Sequence, residues 1–291
     1  MRSLYIFINL FCSILYCGVL LVPDNFLTIQ SAIDASMDGD SIIVGSGVYY
    51  ENIDIYNKGI SLISSNGYED TIIDANYNGA AISVDSNSNA VYVKGFTIKN
   101  GIGEQISTGS RFGGGIISHN TELTLDSLIV ENNESFAGGG ICFYESYSSD
   151  THSVLKNSIV RNNLGSEGGG VFVINQSVDI INVTINQNGM VPYGSGGGIQ
   201  ALVSNVNLNG ANIFDNHSRF GGGIYLGSSS SLIENSSIVN NISDSKGGGI
   251  WVGSESSLSI YRTLIADNIA DGFGGGIFQL LSSVNIDKTT I

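Results

Sequence analysis

One signature, Gly-Gly-Gly followed by Ile or Val, occurs seven times in this chain, ending at Ile116, Ile141, Val171, Ile199, Ile224, Ile250 and Ile277. Successive copies lie 25, 30, 28, 25, 26 and 27 residues apart. A compact globular core has no need of one backbone motif at a near-constant period, whereas a solenoid needs it once per turn. Short alternating runs fill the intervals in a fixed order. Gly223-Ile224-Tyr225-Leu226, Ser231-Leu232-Ile233-Glu234 and Ser237-Ile238-Val239 are followed, one period on, by Gly249-Ile250-Trp251-Val252, Leu258-Ser259-Ile260 and Leu264-Ile265-Ala266. Polar and apolar residues alternating over about four positions read as strands. Three strands per coil predict an all-β fold, a single-stranded parallel β-helix of triangular section. Nine or ten coils at the inter-strand spacing of about 4.8 Å make a rod about 45 Å long.

Two ladders are expected along that rod. Asn100, Asn132, Asn162, Asn188, Asn216, Asn241 and Asn268 each follow the third strand of a coil. A carboxamide both donates and accepts, so stacked Asn side chains can bond to one another from coil to coil. The glycine triplets form the second ladder, a tight corner where backbone approaches backbone. A phosphate cradle is the competing reading of such glycines, but neither a helix nor a nucleotide-loop Lys follows them.

The remaining organisation follows from charge and hydropathy. Eleven Lys and Arg against 26 Asp and Glu give a net charge of −15, which excludes nucleic acid and anionic membrane surfaces as partners. Residues 1–22, Met1-Arg2 and then an apolar run to Val22, read as a signal peptide, with an uncleaved anchor as the alternative. Export is therefore expected, with membrane contact only through that anchor or a further C-terminal domain. Residues 23–40 read as a cap. Its amphipathic helix, Thr28 to Met37, places Ile29, Ala32, Ile33 and Met37 on one face and covers the open edge of the first coil. Residues 41–291 are the solenoid. Residues 282–291 align without gaps to 256–265 and stop three short of the next Asn, so the chain reads as truncated at its C-terminus. Cys142 is the one cysteine after the leader and reads as a small packed side chain.

Catalytic chemistry is hard to find. Glycoside hydrolysis needs two carboxylates flanking one bond. Asp126, Asp150, Asp179, Asp215 and Asp267 are scattered singly among coils, as are Arg111, Arg161, Arg219 and Arg262. His119, His152 and His217 lack metal-ligand spacing and read as exposed turn residues. Calcium is the one cofactor kept open, through Asp38-Gly39-Asp40 and the turn from Asp267 to Asp271, neither of which has a recognised loop spacing. Phe112, Phe136, Phe220 and Phe273 stand just before glycine triplets and read as a cover for that corner. Tyr225, Trp251 and Phe278 come one residue after the signature on successive coils. Strand alternation turns them outward as an exposed stripe, the candidate binding surface.

The triplets, with Ile213-Phe214-Asp215-Asn216 and Ile265-Ala266-Asp267-Asn268, resemble the repeats of chlamydial-type polymorphic outer membrane proteins, although the third signature position is Gly where those repeats carry Ala. That resemblance covers about Phe96 to the end and implies an exported, adhesive passenger at the cell surface or outer membrane. Thr28 to Asp34, Asp38-Gly39-Asp40, Gly47-Val48-Tyr49-Tyr50-Glu51 and Thr71-Ile72-Ile73-Asp74 look like the opening of secreted right-handed β-helix proteins of the pectin-lyase-like superfamily. Pectin methylesterases open similarly, but their downstream catalytic elements have no counterpart here, so no catalytic residue carries over. The expected function is a non-catalytic exported surface that binds carbohydrate or a cell-surface protein. The alternative is a polysaccharide-active lyase, esterase or hydrolase; a third reading is a spacer that holds another domain away from the cell.

Overall fold

The computed structural model describes residues 17–85, 89–106, 109–146, 151–189, 194–253 and 255–291. Most of the expected leader, residues 1–16, and Asp150 lie outside them. Each strand obeys period two: in Asn205–Asn209 the side chains of Val206 and Leu208 are buried while the three Asn face out. Stacking these strands gives three parallel sheets. The first has eleven strands, from Val19–Val22 to Ser283–Asp287; the second nine, from Gly47–Tyr49 to Leu264–Ala266; the third nine, from Ile53–Ile55 to Ile277–Gln279. Register is conserved from coil to coil, as in Ser230↔Ser257 and Ile233↔Ile260. The result is a right-handed parallel β-helix, whose three inner faces supply one continuous core of Ile, Val and Leu.

The N-terminal end differs from expectation in two places. Val19–Val22, expected within the leader, is the first strand and pairs with Ser41–Val44 in register. Its Val-Leu-Leu-Val run is apolar enough to resemble a leader and short enough to be a strand. The helix, Ile29–Ala35, is thus inserted between the first two strands of the sheet rather than preceding the coils. Thr28 caps it, accepting from Ser31 N–H at 3.1 Å, and the Glu51 carboxylate accepts from the N–H groups of Ile29 and Gln30, both at 2.9 Å. Ile29, Ala32 and Ile33 are buried, but Met37 lies beyond the helix end and is 75% exposed. Ser36 ends the helix before Met37 can join its apolar face, its N–H bonding to the Ile33 carbonyl.

At the corner between the second and third sheets lies an inner asparagine ladder. Asn133, Asn163, Asn188, Asn216, Asn241 and Asn268 are linked Nδ2 to Oδ1 at 3.0–3.1 Å. Each Oδ1 after the first also accepts the preceding ladder residue's backbone N–H, as Asn216 does from Asn188 at 3.0 Å. Three expected members are therefore corrected. Asn100, Asn132 and Asn162 sit one residue earlier, at φ of 54–59°, in the turn position that Gln187, Asp215, Asn240 and Asp267 fill in other coils. In the three Asn-Asn pairs, 132–133, 162–163 and 240–241, the ladder takes the second residue, whose side chain points inward. In the first of these coils Gly101 stands in the ladder and donates its N–H to Asn133, while Asn100 binds the Asp74 carboxylate.

Between ladder and glycine triplet the chain leaves the body of the coil and returns. These excursions, among them Glu134–Ala137, Leu164–Glu167, His217–Phe220 and Ile242–Lys246, stack into a ridge beside the third sheet. Its neck explains the glycines. The first Gly of each triplet has positive φ, 63° at Gly221. A β-carbon on Gly222 would collide with the carbonyl oxygens of Ile242 and Gly248, and one on Gly198 would lie 2.6 Å from the Gly223 oxygen and 3.1 Å from Asn216 Nδ2. Ladder and triplet are thus two sides of one pinched corner.

Candidate functional site

Alternation leaves three outward positions on each long strand of the first sheet, and parallel register aligns them along the rod. Ser177, Asn205, Ser230 and Ser257 form one line; Asp179, Asn207, Leu232 and Ser259 the next; Ile181, Asn209, Glu234 and Tyr261 the third. The first line, with Asn207, Leu232 and Ser259 of the second, Tyr261 of the third and His152, borders a shallow groove of about 560 Å³. Its side chains already have partners: His152 Nε2 bonds to the adjacent Asp179 at 2.9 Å, Asn207 Nδ2 donates to Asp179 at 3.0 Å, and Ser230 bonds to Ser257 at 2.9 Å. Short hydroxyls and carboxamides, with one phenol and one Leu, make a surface that can exchange hydrogen bonds with hydroxyl-rich ligands. None of these lines figured in the expectation, although strict alternation in Asn205-Val206-Asn207-Leu208-Asn209 carried the signal.

The third sheet's outer face is partitioned differently. In one register line stand Asp54, Ser83, Ile117, Cys142, Phe172, Gln200, Tyr225, Trp251 and Phe278. Its middle is a second small core, where Ile117, Cys142 and Phe172 are buried with Ala80 and Ala137 against the half-buried Phe112 of the ridge. Burial pushes the Cys142 thiol well up, which fits a packed side chain rather than a nucleophile. Phe112 meets Phe136, Tyr144 and Phe172 edge-on at 5.9–6.4 Å.

At one end of this line Tyr225, Trp251 and Phe278 do stack. The Tyr225 and Trp251 rings are parallel at 4.2 Å, and Phe278 follows at 6.4 Å with Lys246 Nζ 4.8 Å from its centroid. Each is half-buried rather than fully exposed. Tyr225 lies flat on one face of the Trp251 indole and Phe278 flanks it on the next coil, so the stripe offers fewer free ring faces than three separate aromatics would. A cavity of about 410 Å³ opens beside it, lined by Tyr225, Trp251, Leu202 and Gly253.

At the other end lies a polar cleft of about 320 Å³ containing Asn52, Asp54, Ser83, Glu104 and Arg111. Glu104 Oε2 accepts from Ser83 Oγ at 2.8 Å and faces His119 Nε2 at 3.4 Å. The His119 contact, with help from Ser83, holds the Glu104 carboxyl below the ordinary range against its partial burial. Asp54 is pushed the other way, by desolvation and then by the charges of Glu104 and Asp85. Arg111 Nη1 donates to the Gly103 carbonyl at 2.8 Å. Asp54 and Glu104 are fifty residues apart, and only the stacking of coils brings them into one cleft, so spacing gave no sign of them.

Other expected groups have structural partners. His119, His152 and His217 lie on strands, not turns, and each faces a carboxylate: Glu104, Asp179 and Asp244, at 3.4, 2.9 and 2.6 Å. Arg161 pairs with Glu131 at 2.7 Å, Arg262 with Glu234 at 3.2 Å, and Arg219 lies over the Phe220 ring. Desolvation works to raise the Asp126 carboxyl, but bonds from Asn157, Tyr92 and Ser127 outweigh it and hold the group low. Asp38 accepts from Gly59 N–H at 2.7 Å, and Asp40 from the N–H groups of Gly18 and Met37 at 2.6 and 2.8 Å. Among the described residues no three His, Cys, Asp or Glu side chains gather as a metal site.

No family model matches the sequence. Among curated proteins, metabotropic glutamate receptor-like protein P of Dictyostelium discoideum is 28% identical over 267 residues, which is 82% of this chain and 19% of that protein. The chain thus spans about a fifth of the relative it matches. Among solved structures, an alginate lyase from Paenibacillus superposes with a TM-score of 0.56 at 12% identity, covering 94% of this chain and 99% of that one. A pectate lyase gives 0.53 at 14%, covering 91% and 79%. At such identities the likeness is one of fold, the parallel β-helix that these enzymes share.

Proposed function

We propose that this protein is an exported β-helix that binds an extended, hydroxyl-rich polymer, a glycan chain, along the outer face of its first sheet. The observation that carries the reading is the groove from His152 to Tyr261, where short polar side chains repeat in register over five successive strands. A polymer lying along the rod meets equivalent donors and acceptors on each coil, so many weak contacts sum. The leader and the likeness to surface-exposed passenger repeats support export. The rings of Tyr225, Trp251 and Phe278 offer a separate contact surface for a protein or glycan on another side of the rod. The test is titration of the purified protein against a panel of soluble polysaccharides. Asn207→Ala combined with Tyr261→Ala is expected to weaken binding at least tenfold, about 1.4 kcal/mol. Binding that survives the double change, or no binding to any glycan, sinks the proposal.

A second reading, polysaccharide hydrolysis, draws on the cleft of Asp54 and Glu104. Two carboxyl groups with protonation pushed in opposite directions are what acid–base cleavage of a glycosidic bond requires, Asp54 as proton donor and Glu104 as base. Release of new reducing ends that stops with Glu104→Gln and Asp54→Asn, while binding persists, would favour this reading over the first.

A further inference from the structure

Six Asn-x-Ser/Thr triplets lie in the sequence, beginning at Asn133, Asn175, Asn182, Asn216, Asn235 and Asn241. The fold sorts them. Asn133, Asn216 and Asn241 belong to the inner ladder and are at most 1% exposed. Asn216 spends its Nδ2 hydrogens on the carbonyls of Ile185 and Phe214 and on Asn241 Oδ1. The hydroxyls two residues on are also in use: Ser218 Oγ donates to Phe220 and Gly221 carbonyls, Ser243 Oγ to those of Arg219 and Lys246. These triplets arise because the ladder needs Asn and the ridge needs Ser. Asn175 is half-buried, with its amide on the Glu145 carbonyl.

Asn182 and Asn235 are different. Both are exposed, at φ of 54° and 50°, in the turn that joins the first sheet to the second. They occupy the same turn position two coils apart, and the coil between carries Gly210 there, which puts no side chain in the gap. Asn235 Nδ2 gives one hydrogen to Asn209 Oδ1 at 2.9 Å, leaving the second free.

We propose that Asn182 and Asn235 are N-glycan acceptors, so that this edge of the rod carries two oligosaccharides. The inference rests on the export reading. In the transfer, the carboxamide nitrogen attacks the anomeric carbon of a lipid-linked oligosaccharide diphosphate. The new N–C bond replaces the C–O bond to the diphosphate, which departs with the lipid, and one amide proton passes to a base of the transferase. One Nδ2 hydrogen survives, so the Asn235 to Asn209 bond can persist. The same substitution at Asn216 would remove a hydrogen the ladder uses and force a sugar into a closed corner.

The experiment expresses the whole chain in a eukaryotic secreting host, behind its own leader and in parallel behind a heterologous one. Folded, protease-resistant protein is treated with peptide N-glycosidase in ¹⁸O-water and mapped by mass spectrometry. Labelled Asp is expected at positions 182 and 235 and absent at 133, 216 and 241. Thr184→Ala and Ser237→Ala, which leave both turn Asn in place, should each remove one glycan-sized mass step without shifting Tm. Unmodified Asn182 and Asn235 in folded protein from the heterologous leader would overturn the proposal, as would sugar on a ladder Asn. Failure of the native leader alone to deliver protein to the medium counts against export and leaves the acceptor result readable.

Discussion

Two corners of the same rod impose different demands on sequence. Where the first sheet meets the second, the turn position is filled by Ser127, Asn157, Asn182, Gly210, Asn235, Arg262 and Lys288 in successive coils, all with positive φ. The backbone conformation is fixed there and the side chain is not, because it points to water. Where the second sheet meets the third, residue identity itself repeats: Asn in the ladder, Gly-Gly-Gly in the return. The ladder residues from Asn133 to Asn241 bond to the coils on either side and are buried, and no β-carbon fits at the neck. The exposed corner repeats only a conformation while the closed one repeats the residues themselves, because an unsatisfied or displaced group costs most where water cannot enter.

Substitutions test that contrast. Asn216→Ala strands the Ile185 carbonyl and the Asn188 donors, and a loss of about 3–5 kcal/mol is expected from orphaned buried groups. Urea denaturation should show it, and a loss below about 1 kcal/mol would mean the ladder is incidental. Next is Gly222→Ala at the neck, expected to cost about 3 kcal/mol because backbone on two sides must move. Asn235→Ala at the open corner should cost only about 1 kcal/mol, because Ala lacks the short polar side chain that lets Asn tolerate positive φ, and Asn235→Gly close to nothing. If the two corners respond equally, the contrast between them fails.

The smallest expected effect is a pH dependence away from either corner. Glu104 titrates below its ordinary value of 4.5 through its contact with His119. A depressed native value means that its contribution is present above pH 4.5 and is lost as pH falls through the native value. Acid unfolding of Glu104→Gln should therefore be slightly flatter below pH 4.5 than that of the unaltered protein, and an identical acid limb would remove Glu104 from the account.

Fold was far more legible than site. Seven glycine triplets and the alternating runs between them were enough for a parallel β-helix, since each coil repeats the requirements of the last. Register was less so: Asn132-Asn133 and Asn162-Asn163 each offer two amides, and only the direction of the side chain decides which enters the ladder. The Val19–Val22 strand was hidden inside an apolar run because leader and strand share residue types. Tyr225, Trp251 and Phe278 fell on one outward line as alternation required, but the ring contacts of Trp251 depend on how far apart the coils sit.

What the sequence determined by itself was periodicity: strand, corner and inward face, each set by local chemistry that recurs about every 27 residues. What only the tertiary structure decided was juxtaposition. Stacking makes neighbours of residues a full coil apart, so the Asp54 and Glu104 cleft, the first-sheet groove and the exposure of Asn182 against the burial of Asn216 exist only once coil lies on coil. Local pattern specifies which way a side chain points, and the pairing of strands specifies what it meets there.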